Sequence, residues 1–335
     1  MKYTTIDLTD KCILITGGAG FIGSNLAFYF QKNHPESHII VLDCFRNEET
    51  FSNGNLKSFG HFKNLIGFKG EVLSGDINDQ VTLNRLRSLK IDYIFHEAAI
   101  SDTTVVDQGV MVQTNVNAFK DLLEIAVDKK AAMIYASSAA TYGNTPSPQT
   151  VGIENPENVY GFSKLMMDNI ARDLMKKVPI SIVGLRYFNV YGPREFYKNK
   201  TASMVVQLGH QILAGKPPRL FENSHNIRRD FVNIEDVIQA NVLAMQPKKS
   251  GIYNVGTSKP RSFQDIADIL QQELGTNYGT EYFKNPYSAY QTYTEADITL
   301  SKEGLGYEPR VSLEEGIRAY IPEIKRLYES EVKRG

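Results

Sequence analysis

The sequence predicts an α/β fold in which a doubly wound parallel sheet is followed by a smaller α/β domain. Short apolar runs alternate with segments of helical pattern through the first half of the chain, as they do in βα repeats. These runs are apolar throughout, which is typical of strands buried on both faces of a parallel sheet. A glycine-rich turn at residues 17–23 joins the first predicted strand directly to the first predicted helix.

The individual elements follow from the same patterns. The predicted strands are Cys12–Thr16, Ile39–Asp43, Val72–Gly75, Tyr93–Glu97, Met133–Ala136 and Ile182–Tyr187. The predicted helices are Phe21–Phe30, Asn158–Met175, Ala202–Leu213, Glu235–Met245, Ser262–Leu274 and Leu313–Tyr328. After about residue 189 the pattern is less regular, and segments that contain Pro and Gly separate the helices. We therefore expect a second, smaller domain in this part of the chain.

Composition argues against several classes of protein. The 335 residues carry a formal net charge of −1, so there is no electrostatic reason to expect binding to nucleic acid or to an anionic membrane. Two cysteines, Cys12 and Cys44, do not make a disulfide scaffold, and we expect no metal site. No apolar run approaches the roughly 18 residues of a spanning helix, and the first residues are too polar for a signal peptide. These features predict a cytoplasmic protein.

The glycine-rich turn has the pattern of a phosphate-binding loop. Gly17, Gly20 and Gly23 lie between a strand and a helix, where glycines let the backbone turn sharply and approach a pyrophosphate. The helix that follows offers free N–H groups and the positive end of its dipole. Asp43 ends the second strand 20 residues after Gly23, where an acid meets the ribose hydroxyls of a dinucleotide. The alternative is an ordinary glycine-rich turn.

Further residues at strand ends fit the same dinucleotide. Asp76 and Ile77 follow the third strand and could border the adenine, while the small residues Ala98 and Ala99 follow the fourth strand. We therefore assign residues 1–188, with a return segment around 230–260, to a Rossmann-type dinucleotide-binding domain. The remainder of residues 189–335 is assigned to substrate binding.

A tyrosine and a lysine on the long helix suggest acid–base chemistry. Tyr160 and Lys164 are four residues apart, which places both on one helical face. A nearby ammonium favours tyrosinate, so the pair suits removal of a proton from a sugar hydroxyl. Ser137 and Ser138 end the fifth strand, where ligands bind in open α/β sheets. Either serine could instead cap a turn.

Together these residues resemble the extended short-chain dehydrogenases, with the glycine loop, the serine and the Tyr-x-x-x-Lys pair in the family's order and spacing. Within that class, the chain most resembles the ADP-L-glycero-D-manno-heptose 6-epimerases. The matching segments are 136–143, 158–164, 186–195, 220–222 and 228–232, followed by Tyr290-Gln291 and Ala296-Asp297. The resemblance covers nearly the whole chain.

The resemblance implies an NAD(P)-dependent isomerase that inverts C6 of an ADP-linked manno-heptose through a transient 6-ketone, in the synthesis of the lipopolysaccharide inner core. It also implies that the hydride is held on tightly bound NADP, with NAD as the alternative, and that the protein is a homo-oligomer, a pentamer in the family. The other readings are a 4-epimerase or dehydratase of a UDP-, GDP- or dTDP-hexose, and a cofactor-binding regulator without turnover. A dehydratase needs an acid pair where this chain has Ala139 and Ala140.

The resemblance also assigns individual residues. The catalytic set is Tyr160, Lys164, Lys198 and Ser138. The cofactor set is Gly17, Gly20, Phe21, Ile22, Gly23, Asp43, Cys44, Arg46, Asp76, Ile77, Glu97, Ala98, Ala99, Ser101, Asn115, Tyr160, Lys164 and Val190. The substrate set is Ser101, Ser138, Asn189, Lys200, Gln207, Phe221, Glu222, Ser224, Arg229 and Tyr290.

Two positions depart from the family pattern. Thr50 stands where the family has a lysine, and Gln207 stands where it has a histidine on the substrate side. The missing lysine leaves the contact to a 2′-phosphate open, and Arg46, Lys57 or Lys63 could supply it. Asp43 alone favours the free ribose diol of NAD.

Overall fold

The computed structural model describes residues 2–286 and 291–333, and its centre is a sheet of seven parallel strands. In chain order the strands of the protein are β1 (Cys12–Thr16), β2 (His38–Asp43), β3 (Glu71–Ser74), β4 (Tyr93–His96), β5 (Ala132–Ser138), β6 (Ile182–Tyr187), β7 (Asn189–Tyr191), β8 (Arg219–Phe221), β9 (Arg228–Arg229), β10 (Phe231–Asn233), β11 (Gly251–Val255), β12 (Arg261–Ser262) and β13 (Glu281–Phe283). The central sheet has the order β11-β6-β5-β4-β1-β2-β3. The six predicted strands are all present, each within two residues of its expected ends.

The chain order reverses beside β1, as it does in a doubly wound sheet. All five residues of β1 and all six of β6 are buried, as expected of strands in the interior of a parallel sheet. The seventh strand, β11, extends the sheet by pairing in parallel with β6. It lies within the 230–260 segment, where no strand was predicted. The fold is thus the predicted Rossmann-type α/β fold.

Helices cover both faces of the sheet. In chain order they are α1 (Phe21–Asn33), α2 (Gln80–Ser88), α3 (Gln108–Met111), α4 (Ala118–Lys129), α5 (Val159–Leu174), α6 (Met204–Leu213), α7 (Ile234–Leu243), α8 (Phe263–Leu274), α9 (Thr299–Leu305) and α10 (Leu313–Leu327). Apolar residues of α1 and α7 share one core with one face of the sheet, and those of α2, α4 and α5 share another core with the opposite face. Among the described residues no helix is long and apolar enough to cross a membrane.

A separate core holds the second unit together. Helices α6, α8 and α10 pack around buried residues such as Val205, Leu208, Ile266, Leu270 and Ile317. Short strand pairs lie beside them, with β7 next to β10, β8 next to β13 and β9 next to β12. The unit is connected to the sheet by β6 and β7, so its loops lie close to the carboxyl ends of the parallel strands.

A buried ionic network fixes the long helix α5 to the sheet. The guanidinium of Arg186 on β6 is fully buried and donates to the carboxylates of Asp168, at 2.7 Å, and Glu154, at 2.6 Å. The hydroxyls of Tyr135 and Ser137 on β5 also donate to Asp168, at 2.9 and 3.0 Å. Because Asp168 and Tyr160 lie on the same helix, this network also determines where Tyr160 stands relative to the strand ends.

We predict that Asp168→Asn lowers the free energy of unfolding by about 3 kcal/mol, because it removes the fully buried one of the two carboxylates that pair with the buried guanidinium. Urea denaturation measures this change. The matched control is Asp173→Asn on the same helix, since Asp173 forms an exposed pair with Lys176 and its loss is expected to cost less than about 1 kcal/mol. Equal effects of the two substitutions would contradict the structural role given to the network.

Candidate active site

One large cavity lies where the carboxyl ends of the strands meet the second unit. Its volume is about 770 Å³, enough for a ligand of dinucleotide or nucleotide-sugar size. The wall is built from the glycine loop, the ends of β2 to β6, the segment 47–60, the loop at 198–204, and the rings of Phe231 and Phe263. The cavity therefore lies at the topological switch point, where ligands bind in sheets of this kind.

The glycine loop is closely packed backbone. Gly17 has a φ of +67°, and a Cβ on it would lie 2.7 Å from the amide nitrogen of Ala98. A Cβ on Gly23 would lie 2.4 Å from the carbonyl oxygen of Gly17. Helix α1 begins after Gly20 without a side-chain cap, so its first N–H groups are available to a phosphate. This loop fits the pyrophosphate of a dinucleotide.

Asp43 at the end of β2 holds the loop as well as facing the cavity. Its Oδ2 accepts the N–H of Ala19 at 2.9 Å, and its Oδ1 accepts the N–H of Phe45 at 2.9 Å. Burial raises the pKa of this carboxyl, and the two backbone hydrogen bonds oppose the rise. A carboxylate oxygen can accept more than one hydrogen bond, so Asp43 still fits the ribose hydroxyls.

The first turn of α5 brings Tyr160 to the serine loop. The side chain of Asn158 caps the helix by accepting the N–H of Gly161 at 2.8 Å. A Cβ on Gly161 would lie 2.3 Å from the carbonyl oxygen of Ala140, so glycine allows the helix to approach the end of β5. Burial raises the pKa of Tyr160, and a hydrogen bond with Ser138 lowers it. Ser138 also accepts the N–H of Ala140 at 3.1 Å.

Lys164 is buried directly behind Tyr160. Its Nζ donates to the carbonyl oxygen of Ala136 at 2.7 Å and lies 5.9 Å from the centre of the Tyr160 ring. Burial lowers the pKa of Lys164 to about 8, although Glu97 and Asp168 favour its charged form. Burial also raises the pKa of Glu97 to about 7, while hydrogen bonding from Tyr187 and the charge of Lys164 oppose the rise. The pKa values of Lys164 and Glu97 are thus both shifted toward neutral pH.

A second lysine reaches the cavity from the loop after β7. The Nζ of Lys198 lies 5.8 Å from the centre of the Phe21 ring, beside the start of α1. Burial lowers the pKa of Lys198 from its ordinary value, and the charge of Glu195 opposes this shift. Glu195 is fully buried and accepts the N–H groups of Gly192, at 3.0 Å, and Ser203, at 2.6 Å. It therefore holds together the two ends of the loop that carries Lys198.

Most of the residues expected at the site line this one cavity. They are Gly17, Gly20, Phe21, Ile22, Gly23, Asp43, Cys44, Asp76, Ile77, Glu97, Ala98, Ala99, Ser101, Ser138, Tyr160, Lys164, Asn189, Val190 and Lys198. The sequence analysis did not single out Phe231, Phe263 or Met204, which also line it. Phe231 lies within the matched segment 228–232 and could have been found there, whereas nothing in the pattern of α6 or α8 points to Met204 or Phe263.

Other expected residues lie away from this wall. They are Arg46, Asn115, Lys200, Gln207, Phe221, Glu222, Ser224 and Arg229, and Tyr290 lies outside the described residues. The guanidinium of Arg46 donates to the carbonyl of Tyr197. Asn115 is buried and bonds both backbone groups of Ile100. Gln207 donates to the carbonyls of Lys200, at 3.2 Å, and Ala202, at 2.6 Å.

Two of these residues, Arg229 and Ser224, were assigned to the substrate set, and both are buried in the protein. Arg229 is buried, but its guanidinium donates to the carbonyls of Arg228 and Gln291 and so ties β9 to residue 291. The side chain of Ser224 is buried beneath the loop after β8. Buried polar groups of this kind have specific partners whether those partners are ligand or protein, and the sequence cannot tell the two apart. Across the described ranges, no group of three or more His, Cys, Asp or Glu side chains could hold a metal ion.

Comparison with known proteins places this geometry in a family. Residues 13–256 match the model of the NAD-dependent epimerase/dehydratase family. An ADP-L-glycero-D-manno-heptose-6-epimerase of Brachyspira hyodysenteriae (strain ATCC 49526 / WA1) is 37% identical over 323 residues, which cover 94% of this chain and 98% of that relative.

Solved structures agree with the family match. The crystal structure of the Helicobacter pylori ADP-L-glycero-D-manno-heptose-6-epimerase is 53% identical, has a TM-score of 0.90, and the match covers 97% of this chain and 99% of that one. The UDP-glucuronic acid 4-epimerase of Bacillus cereus, in complex with UDP-glucuronic acid and NAD, is 29% identical with a TM-score of 0.80, over 95% of this chain and 100% of that one. The chain belongs to the NAD-dependent epimerase/dehydratase family.

Proposed function

We propose that the protein is an isomerase that inverts C6 of an ADP-linked manno-heptose through a transient 6-ketone. The observation that carries this proposal is that Tyr160 and Lys198, two groups able to exchange protons, line one cavity from separate elements. The two heptose 6-epimerases at 37% and 53% identity support the choice of substrate. By the same comparison, the reaction would supply a heptose precursor for lipopolysaccharide.

The residues present fit a nicotinamide dinucleotide, which when bound can accept a hydride from a carbinol carbon and return it. We propose NADP rather than NAD. The three cations considered for the 2′-phosphate differ in place: Arg46 donates to Tyr197, and Lys63 pairs with Glu331 away from the cavity. Lys57 lines the same cavity as Asp43 and Cys44, and its Nζ pairs with Glu49 at 3.0 Å. Lys57 is therefore the cation we assign to the phosphate.

Tyr160 is proposed to exchange the proton of the C6 hydroxyl on one face of the sugar. Ser138 supports it through a hydrogen bond that lowers its pKa, and the buried ammonium of Lys164 favours the phenolate when it forms. Lys164 is held by the carbonyl of Ala136, so its charge stays close to Tyr160. These residues form one unit in which the tyrosine exchanges the proton and the other two stabilise its charged form.

Lys198 is proposed to exchange the proton when the ketone presents its other face. Inversion at one carbon requires the ketone to turn after the hydride is removed and before it is returned. The oxygen at C6 therefore takes two different positions, and one fixed acid cannot easily serve both. Burial lowers the pKa of Lys198, which brings its neutral, basic form closer to working pH. The loop that carries Lys198, here called the lysine loop, runs between Gly192 and Ser203. Glu195 fixes both of its ends while the sugar turns.

The remaining assignments complete the proposal. Residues 1–188 with the 230–260 segment would hold the dinucleotide, and the rest of residues 189–335 would hold the sugar nucleotide. Asn189 lines the cavity, and Phe221, Glu222 and Arg229 would reach the nucleotide from beyond its wall. The assignment of Tyr290 to substrate binding stays a prediction from the resemblance. Tight retention of the cofactor, homo-oligomeric assembly and a cytoplasmic location stay predictions from the resemblance.

The runner-up reactions have less support. A dehydratase needs a carboxyl group beside the active-site hydroxyl, but the turn after Ser138 carries Ala139, Ala140 and Thr141. A hexose 4-epimerase would leave the half-buried Lys198 without a role. One cavity is lined by Ser138, Tyr160 and Lys164 together, and this argues against a cofactor-binding regulator that catalyses no reaction.

For the cofactor, we predict that protein stripped of dinucleotide binds NADP at least as tightly as NAD in a fluorescence titration. Lys57→Met should weaken NADP about tenfold and leave NAD unchanged, because only the 2′-phosphate needs the cation. Lys69→Met, an exposed charge change in the same segment, is the control. A clear preference of the unaltered protein for NAD would overturn the proposal and agree with Asp43 acting alone.

For the acid–base pair, we predict that Tyr160→Phe and Lys198→Met each reduce epimerisation of the ADP-heptose by about 10²-fold or more, while dinucleotide stays bound. The epimer ratio over time, measured by NMR, gives the rate, and absorbance after denaturation gives the dinucleotide content. Lys216→Met, an exposed lysine at the end of α6, is the control and should keep the unaltered rate. If Lys198→Met also keeps that rate, Lys198 is only a structural lysine.

A further inference from the structure

Residues 61–65, here called the bridge segment, contact the glycine loop on one side. The segment is a single 3₁₀ turn that begins after His61. The backbone N–H of His61 donates to the carbonyl of Ala19 at 3.1 Å, and the side-chain amide of Asn64 donates to the same oxygen at 3.0 Å. Asn64 is buried. The bridge segment is therefore fixed to the loop that fits the pyrophosphate.

On its other side the bridge segment holds the loop that carries Lys198. The rings of His61 and Tyr197 are stacked, with centroids 3.8 Å apart and planes inclined by 3°. The guanidinium of Arg194 donates to the carbonyl of Asn64 and lies 3.9 Å from the centre of the Phe28 ring. Burial and the nearby charges of Arg46 and Lys63 lower the pKa of His61, while the charges of Glu331 and Glu48 oppose the shift.

The lysine loop needs such external support. Arg194 and Asn199 have φ values of 75° and 52°, in a region that side chains other than glycine rarely adopt. A residue held in this region carries backbone strain and persists only where its surroundings fix it. Lys198 lies immediately between the stacked Tyr197 and the strained Asn199. Loss of the stacking contact would therefore displace Lys198 first.

We propose that His61 is a positioning residue that sets the place of Lys198 relative to the glycine loop, through its stacking on Tyr197. The inference rests on the proposed catalytic role of Lys198. Ala19, His61, Tyr197 and Lys198 then form one continuous path from the cofactor loop to the second base. The bridge segment thus has a catalytic purpose although, in the part of the chain the structure describes, it contributes no side chain to the cavity wall.

The test compares His61→Ala with His61→Phe. His61→Ala should reduce kcat about tenfold to 10²-fold, the order expected of a base displaced by about 1 Å, with little change in KM or in dinucleotide content. His61→Phe keeps a flat ring against Tyr197 and should restore most of the rate with the same pH profile as the unaltered protein. Ile66→Ala, an exposed position next to the bridge segment, is the control and should change neither kcat nor KM.

A double-substitution cycle separates positioning from general loosening. If His61 acts through Tyr197, His61→Ala with Tyr197→Leu should lose little more rate than either substitution alone. Additive losses, or no rescue by His61→Phe, would overturn the inference. If Lys198→Met is inactive while His61→Ala keeps the unaltered kcat, the positioning role fails alone. If Lys198→Met is fully active, the proposed function itself fails.

Discussion

The hydrogen bonds of Ala19 are the constraint on which the site depends most. This residue lies inside the glycine loop, where its N–H is bound by Asp43 and its carbonyl accepts from His61 and Asn64. The same few atoms therefore fix the acid of β2, the phosphate-binding turn and the bridge segment relative to one another. Because the His61 ring of the bridge segment stacks on Tyr197, the position of Lys198 also depends on the glycine loop. The position of Lys198 relative to the glycine loop thus depends on the hydrogen bonds of Ala19 together with the stacking of the His61 and Tyr197 rings.

Burial produces the chemistry of the cavity. Lys164 and Lys198 both have lowered pKa values because their ammonium groups are taken out of water, and each has an acidic residue, Glu97 or Glu195, that partly offsets this cost. The partners are arranged differently. Lys164 is fixed by a carbonyl and stays close to its tyrosine, whereas the Nζ of Lys198 lies over the Phe21 ring on a loop that Glu195 holds. This difference fits the proposal that Lys164 supports Tyr160 from a fixed position and that Lys198 itself exchanges a proton.

Much of this arrangement could be predicted from the sequence, and the reasons are local. Apolar runs identify β1 to β6, and the glycine turn followed by Asp43 identifies the cofactor end. Spacing alone brings Tyr160 and Lys164 onto one helical face. The strand β11 was not predicted, because polar Asn254 interrupts its apolar pattern; the side chain of Asn254 donates to the carbonyls of Gln149 and Asp297.

The remaining features depend on contacts far apart in the chain. The sequence could not choose among Arg46, Lys57 and Lys63, since only the path of the 47–70 segment shows which one faces the cavity. Nor could it separate a buried polar residue that binds protein, such as Asn115, from one that binds ligand. The stacking of His61 on Tyr197 joins two residues that are far apart in the chain, so no local sequence pattern predicts it.

The central claim is that Tyr160 and Lys198 act as two independent bases on one carbon. The most direct test offers the enzyme an ADP-linked hexose with an aldehyde at C6, which can be dismuted to the acid and the alcohol without inversion. Tyr160→Phe and Lys198→Met should each keep measurable dismutation, because one base remains, and the double variant should lose it. Undiminished dismutation by the double variant would contradict the account.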